Sequence, residues 1–234
     1  MGSINAYCIT IISDSFSNVC YDTVVQSSKG VGNKFKIEKF SASVPKFTSS
    51  HMRYLNLEWT YPWDSEKIDL KSGLTLKPYP TATREKRIAC FLSHYRLWEK
   101  CINDDEPILI LEHDAYFEKK LDPKYIIDSE YDIIGINDPR GATRKAKEYY
   151  DKVTSSVKPI VPVPRIDSFN VPQGLAGNSA YIIKPTGAKQ LIEATKKYGA
   201  WPNDALMCYQ LIDKLGVTNK FYTRVQGVRS TTTL

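Results

Sequence analysis

The residues best suited to chemistry lie in Pro107–Phe117, PILILEHDAYF, where four aliphatic residues run straight into Glu112, His113 and Asp114. Two carboxylates one residue apart concentrate negative charge, which is costly unless a cation offsets it. A hard divalent ion with oxygen ligands is the usual partner, and Mn2+ or Mg2+ on a nucleotide diphosphate needs only one or two protein carboxylates. On extended backbone, Glu112 and Asp114 project to one side, as a shared ion requires. The competing reading is an acid pair at a strand end, facing solvent or paired with Lys119 or Lys120. We take the segment as a metal and diphosphate site.

A third acid, Asp204 in AWPNDALM, has two readings. It is an acid in the first turn of a helix, favoured by the helix dipole. Or it is a general base for an attacking hydroxyl, if the fold brings it to the same crevice. Arg84, Lys86 and Arg87 precede an amphipathic helix whose first N–H groups suit a phosphate; a solvated charged face is the alternative. Other constellations are excluded. His51, His94 and His113 never approach H-E-x-x-H spacing, and no G-x-S-x-G or G-x-x-x-x-G-K-[ST] segment occurs. Gly30-Val31-Gly32 lacks a third glycine in register and reads as a loop.

These groups need elements to position them. The unbroken apolar run Ile108–Leu111 predicts a strand buried on both faces, as in a parallel sheet covered by helices. The carboxyl ends of such strands are where open α/β sheets keep ligands. Further strands are expected at Ala6–Ile12 (closed by a polar turn, SDSFSN), Tyr131–Ile136, Ser179–Ile183 and Phe221–Val225. Thr83 caps a helix in which Ile88, Phe91, Leu92, Tyr95, Trp98 and Ile102 recur at spacings of three and four. A second helix stops at Gly199, and a last one runs from Asn203 to just before Gly216. Residues 48–80 carry Trp59, Tyr61, Trp63 and Tyr79 in an irregular segment that either packs over the core or stacks on a sugar or base. Residues 139–164, charged and then proline-rich, read as an excursion. Strands alternate with helices, and the chain reads as one domain, 1–234.

Composition bounds the partners. The 234 residues carry a net charge of +6, spread along the chain, which suits a small anionic substrate. No basic run interleaved with aromatics points to nucleic acid. Five cysteines without C-x-x-C spacing predict a reducing compartment and no disulfides. Neither a signal peptide nor an apolar run of about 18 residues is present, so a soluble, cytoplasmic protein with at most peripheral membrane contact is expected.

The helix IACFLSHYRLWEKC leading into PILILEHDA resembles the signature of the family 25 glycosyltransferases. These are the lipooligosaccharide galactosyltransferases and their relatives, including the collagen hydroxylysine galactosyltransferases. GLAGNSAYIIKPTGAKQLIE and PNDALM are similar to later elements of that family, in the same order, and ITIISDS is a fainter match to its first strand and donor-side loop. The resemblance spans roughly Arg87 to Gln210. It implies a GT-A type nucleotide-sugar-binding fold with a mostly parallel central sheet flanked by helices. The reaction it implies is transfer of a hexose, commonly galactose from a UDP-sugar, with inversion, to a hydroxyl on a glycan, lipid-linked glycan or protein. By the same resemblance Asp114 holds Mn2+ or Mg2+ with Glu112 as its companion, and Asp204 is the base. Ser13, Asp14, Arg84, Arg87, Ser93, His94 and His113 fall on the donor side, and Trp63, Gln173 and Asn178 on the acceptor side. Two positions depart from the pattern: His113 replaces a further aspartate, and Arg87 replaces a glutamate. The alternative is a catalytically inactive nucleotide-sugar- or carbohydrate-binding protein of the same fold, with His113 as the mark of decay.

Overall fold

The computed structural model describes residues 4–81, 83–140 and 145–228. In chain order these form β1 (Asn5–Thr10), α1 (Ser15–Gly30), β2 (Ile37–Ser41), α2 (Thr48–Tyr54), a hairpin of β3 (Lys67–Asp69) and β4 (Leu74–Leu76), and the long α3 (Arg84–Asp104). Next come β5 (Ile108–Glu112), β6 (Ala115–Phe117), α4 (Pro123–Ile127), β7 (Ile133–Gly135), α5 (Ala146–Thr154), β8 (Ile160–Pro162) and β9 (Ala180–Ile183). The last are α6 (Pro185–Tyr198), the single turn α7 (Asn203–Leu206), β10 (Leu215–Thr218) and β11 (Thr223–Val225).

Seven strands make one sheet in the order β2-β1-β5-β9-β7-β10-β8. Five run parallel; β9 is inserted antiparallel between β5 and β7, and β8 lies antiparallel at the edge. Period-two alternation divides β5 cleanly. Ile108 and Ile110 join one core, with α3 and α6, while Leu109 and Leu111 join the other, with Val24 of α1. Each face therefore needs apolar side chains, which is why the run is unbroken. Tyr181 and Ile183 of β9 continue the first core, and Ala180 and Ile182 the second. The expected α/β architecture, a mostly parallel sheet flanked by helices, is the one observed.

Several local expectations are corrected. The SDSFSN turn is the start of α1: Asp14 caps it, Oδ1 accepting from the Ser17 N–H at 2.6 Å. The helix escaped pattern reading because serines face inward; Ser27 Oγ, for one, accepts from the Phe117 N–H at 3.1 Å. The 139–164 excursion contains α5 and β8, and Pro162 is tolerated because β8 is an edge strand; residues 141–144 lie outside the described residues. The last helix ends at Leu206, and Ile212 is buried from a turn. The final strand pairs with β6 rather than the main sheet. Thr83 occupies the cap position of α3 without a side-chain bond. All five cysteines are free, with Cys8, Cys20, Cys101 and Cys208 buried. Among the described residues no helix is long and apolar enough to cross a membrane.

Candidate active site

The alternation that buries Ile108 and Ile110 under α3 carries Glu112 to the same face. There it meets residues spaced by helical turns. His94 Nε2 lies 3.0 Å from Glu112 Oε1, and Cys90 Sγ 3.9 Å from the same oxygen. Cys90 Sγ is also 3.8 Å from Asn203 Oδ1, which ties α7 to the site and sets Asp204 beside it. Behind His94, Nδ1 lies 2.9 Å from the Tyr181 hydroxyl, which accepts from Trp98 Nε1 at 2.9 Å. Arg87, one turn before Cys90, donates through Nη2 to the Pro80 carbonyl at 3.2 Å and lies over the Tyr79 ring, while its buried Nε has no partner.

Asp114 arrives by a different route from the one expected. The strand stops at Glu112, and His113–Asp114 form a tight turn into β6. The turn, rather than strand periodicity, keeps the two acids together. Burial and then the charge of Glu112 raise the Asp114 pKa to about 7, and its Oδ1 is buried without a partner. Burial pushes Glu112 upward too, but the His94 hydrogen bond, with the Arg87 charge behind it, outweighs it, so its pKa is lowered. Burial lowers the pKa of His113 despite the nearby acids, so the departure from aspartate adds no charge of either sign near neutral pH. Burial also raises Asp204, opposed by Arg87 and reinforced by Glu112.

Two sets of groups resemble metal ligands. Ligand atoms of Cys90, His94 and Glu112 lie within 4.8 Å of one another. However, both His94 nitrogens already have partners, and burial together with Glu112 holds the Cys90 thiol well above its ordinary pKa, where it stays protonated. That trio is held by hydrogen bonds. The orphaned Oδ1 of Asp114 beside Glu112 is the all-oxygen set that suits a hard divalent cation.

Other expected residues divide into near and far. Ser13 and Asp14 follow β1, whose Ile9 pairs with Glu112, so they neighbour the acids. Ser13 lines a cavity of about 470 Å³ with Ser43, Phe47, His51 and Arg96. Arg84 forms an exposed ion pair with Asp64 at 2.9 Å and lies over Trp63, which stacks on Trp59 at 4.9 Å. Trp59 in turn packs edge-on against Phe91, so the aromatic segment is anchored to the core and presents Trp63 outside it. Asn178 donates to Met207 Sδ at 3.4 Å and keeps a buried, unpartnered Oδ1.

Two expected site residues have their polar atoms engaged within the fold. Ser93 Oγ donates to the Ala89 carbonyl at 2.7 Å and accepts from the Ser43 N–H at 2.9 Å, so this buried hydroxyl ties α3 to a loop. Gln173 Oε1 accepts from the Ile166 and Asp167 N–H groups, and Nε2 donates to the carbonyls of Asp167 and Ser168; both ends are consumed in clasping that loop. Sequence reasoning missed Cys90, Asn203, Tyr181 and Gly174. A Cβ on Gly174 would land on the Met207 carbonyl oxygen, so glycine is required for the 174–178 segment to lie against α7. The available signal was Arg87, Cys90, His94 and Trp98, spaced by three and four: a polar stripe on the inward side of an amphipathic helix.

The sequence profile described as glycosyltransferase family 25 (LPS biosynthesis protein) matches residues 31–207, well over half of the chain. No curated protein sequence matches significantly. Among solved structures, the galactosyltransferase LgtC in complex with donor and acceptor sugar analogs is similar at 11% identity and a TM-score of 0.43, covering 91% of this chain and 72% of its own. The glycosyltransferase GlyE of Streptococcus pneumoniae is similar at 11% identity and 0.41, covering 93% of this chain, which spans only 45% of GlyE. Mouse xyloside xylosyltransferase 1 is similar at 9% identity and 0.43, with 88% and 81% covered. On the profile match, the chain is a glycosyltransferase and belongs to glycosyltransferase family 25.

Proposed function

We propose that the protein transfers a hexose, galactose first among them, from a UDP-sugar to a hydroxyl of a glycan, lipid-linked glycan or protein. The reading includes inversion and dependence on Mn2+ or Mg2+. The observation that carries it is the buried, unpartnered Asp114 Oδ1 beside Glu112, with Asp204 across the same site. Glu112 and Asp114 would hold the cation, whose chemistry is to offset negative charge on the departing diphosphate.

The remaining steps belong to the chain's own groups. The unpartnered Nε of Arg87 gives the diphosphate a fixed donor. Ser13, Asp14 and the cavity beside them receive the nucleoside, with Arg84 and the neutral His113 at the margins of the donor. Asp204 takes the proton from the acceptor hydroxyl. Its pKa, raised by burial and eased by Arg87, makes it a better proton acceptor than an ordinary exposed aspartate. Inversion needs one base on the far face of the sugar and no protein nucleophile. The unpartnered Asn178 Oδ1 and the half-buried Trp63, whose ring stacks on Trp59 and lies under Arg84, form the acceptor side. Free cysteines throughout accord with a cytoplasmic setting.

The test is slow UDP release from UDP-galactose without acceptor, with and without Mn2+. Release that needs the metal and vanishes in Asp114→Asn supports the reading; release unaffected by a chelator or by that substitution overturns it.

A further inference from the structure

We infer that Trp98 and Tyr181 are positioning residues: they hold the ring of His94 as the tautomer with hydrogen on Nε2, and that hydrogen aims the Glu112 carboxylate. The four groups form one chain across the fold. Trp98 and His94 stand four residues apart on α3, Tyr181 pairs with Ile110 across the β5–β9 ladder, and Glu112 lies two residues beyond Ile110. Trp98, His94 and Tyr181 are all 0% exposed, and the contacts between them are direct.

The direction of every hydrogen follows from one end. An indole N–H donates only, so the Trp98 contact at 2.9 Å occupies the Tyr181 oxygen as an acceptor. Tyr181 then has one hydrogen to place, and its other neighbour is His94 Nδ1 at 2.9 Å. Nδ1 must therefore accept, which puts the single ring hydrogen on Nε2, 3.0 Å from Glu112 Oε1. With hydrogen on Nδ1 instead, the tyrosine hydrogen would be buried without an acceptor. On a ring with hydrogen only on Nδ1, a lone pair on Nε2 would also face the carboxylate. The chain of donors consequently fixes Oε1 and leaves Oε2 without a hydrogen-bond partner among the described residues, on a side chain that is 31% exposed. It also explains why Cys90, His94 and Glu112 do not form a metal site of their own: Nε2 has no lone pair to give. What Glu112 does once aimed rests on the transfer reading above; the tautomer does not.

The test uses the full chain labelled with 15N-histidine, and reads the ring nitrogens by NMR; His94→Gln identifies the His94 signals. We expect wild type to show His94 with hydrogen on Nε2 only, and Tyr181→Phe, which removes the hydrogen given to Nδ1, to lose that single tautomer. Hydrogen on Nδ1 in wild type overturns the inference, as does a Tyr181→Phe spectrum unchanged at His94. If Tyr181→Phe does not fold, the wild-type spectrum alone still decides. Metal-dependent UDP release gives a second readout. His94→Ala is expected to lower it about 10–100-fold, the usual cost of losing a group that orients a metal ligand, whereas His94→Gln, which keeps an N–H donor, recovers most of it. Equal losses in both variants at equal melting temperature count against positioning. A wild type that shows the Nε2 hydrogen yet releases no UDP from any UDP-hexose refutes the transfer reading and leaves the tautomer standing.

Discussion

Asp114→Asn separates the cost of the acidic cluster from its use. Burial first, and Glu112 second, raise the Asp114 pKa from its ordinary 3.8 to about 7. At about 1.4 kcal/mol per pH unit this is worth about 4 kcal/mol. Because Asp114 is half-buried, solvent screening leaves roughly half, about 2 kcal/mol. The sign follows from the raised value: the fold favours the neutral acid. That contribution is complete below about pH 3.8 and is lost as pH rises through about 7. Asparagine does not ionise and loses nothing. Without metal, the variant and wild type are expected to melt together near pH 4. At pH 8 the variant should melt higher by roughly 4–8 °C, taking about 2–4 °C per kcal/mol for a chain of this size. Mn2+ with UDP should reverse the order, because a ligand held at about 100 times its Kd adds about 2.7 kcal/mol to wild type alone. Thermal melts across pH, with and without Mn2+ and UDP, read all of this. A gap that does not change with pH, or a metal-free variant that melts lower than wild type at pH 8, would refute the reasoning.

Asp204→Asn is expected to lower kcat for transfer by about 10²–10⁴ with little change in donor KM. Wild-type activity should rise along a pH limb displaced upward from that of an ordinary aspartate, since burial raises Asp204, and steady-state rates across pH show whether the variant lacks that limb. Gly174→Ala forces a methyl onto the Met207 carbonyl and should cost about 1–3 kcal/mol, read as a lower melting temperature, whereas Gly30→Ala, with nothing within 4 Å of the new Cβ, should be neutral or slightly stabilising. Trp63→Ala removes the outer ring of the Trp59 stack; acceptor KM should rise about 2–10-fold while acceptor-free UDP release stays unchanged, and an unchanged acceptor KM removes Trp63 from the acceptor side.

Strand β5, the long helix before it and the two acids after it were legible in the chain because each rests on local order. Four aliphatics in a row admit few readings but a doubly covered strand, and spacings of three and four mark a helix wherever the fold puts it. Where hydrogen bonds replaced apolar contacts, local order misled. The serine-lined α1 has no apolar stripe, and Ser93 and Gln173 look like ligand-binding groups until their partners, distant in sequence, are known. Direction in the sheet was likewise invisible: SAYII reads alike whether β9 runs with its neighbours or against them. Tertiary structure alone brought Asn203 to Cys90 across 113 residues and Tyr181 to His94 across 87, and turned Asp114 toward Glu112 after the strand had ended. The chain carries the chemical groups in its order. Their pKa values, tautomers and free lone pairs depend on burial and on neighbours far away in sequence, and those exist only once the sheet has closed around them.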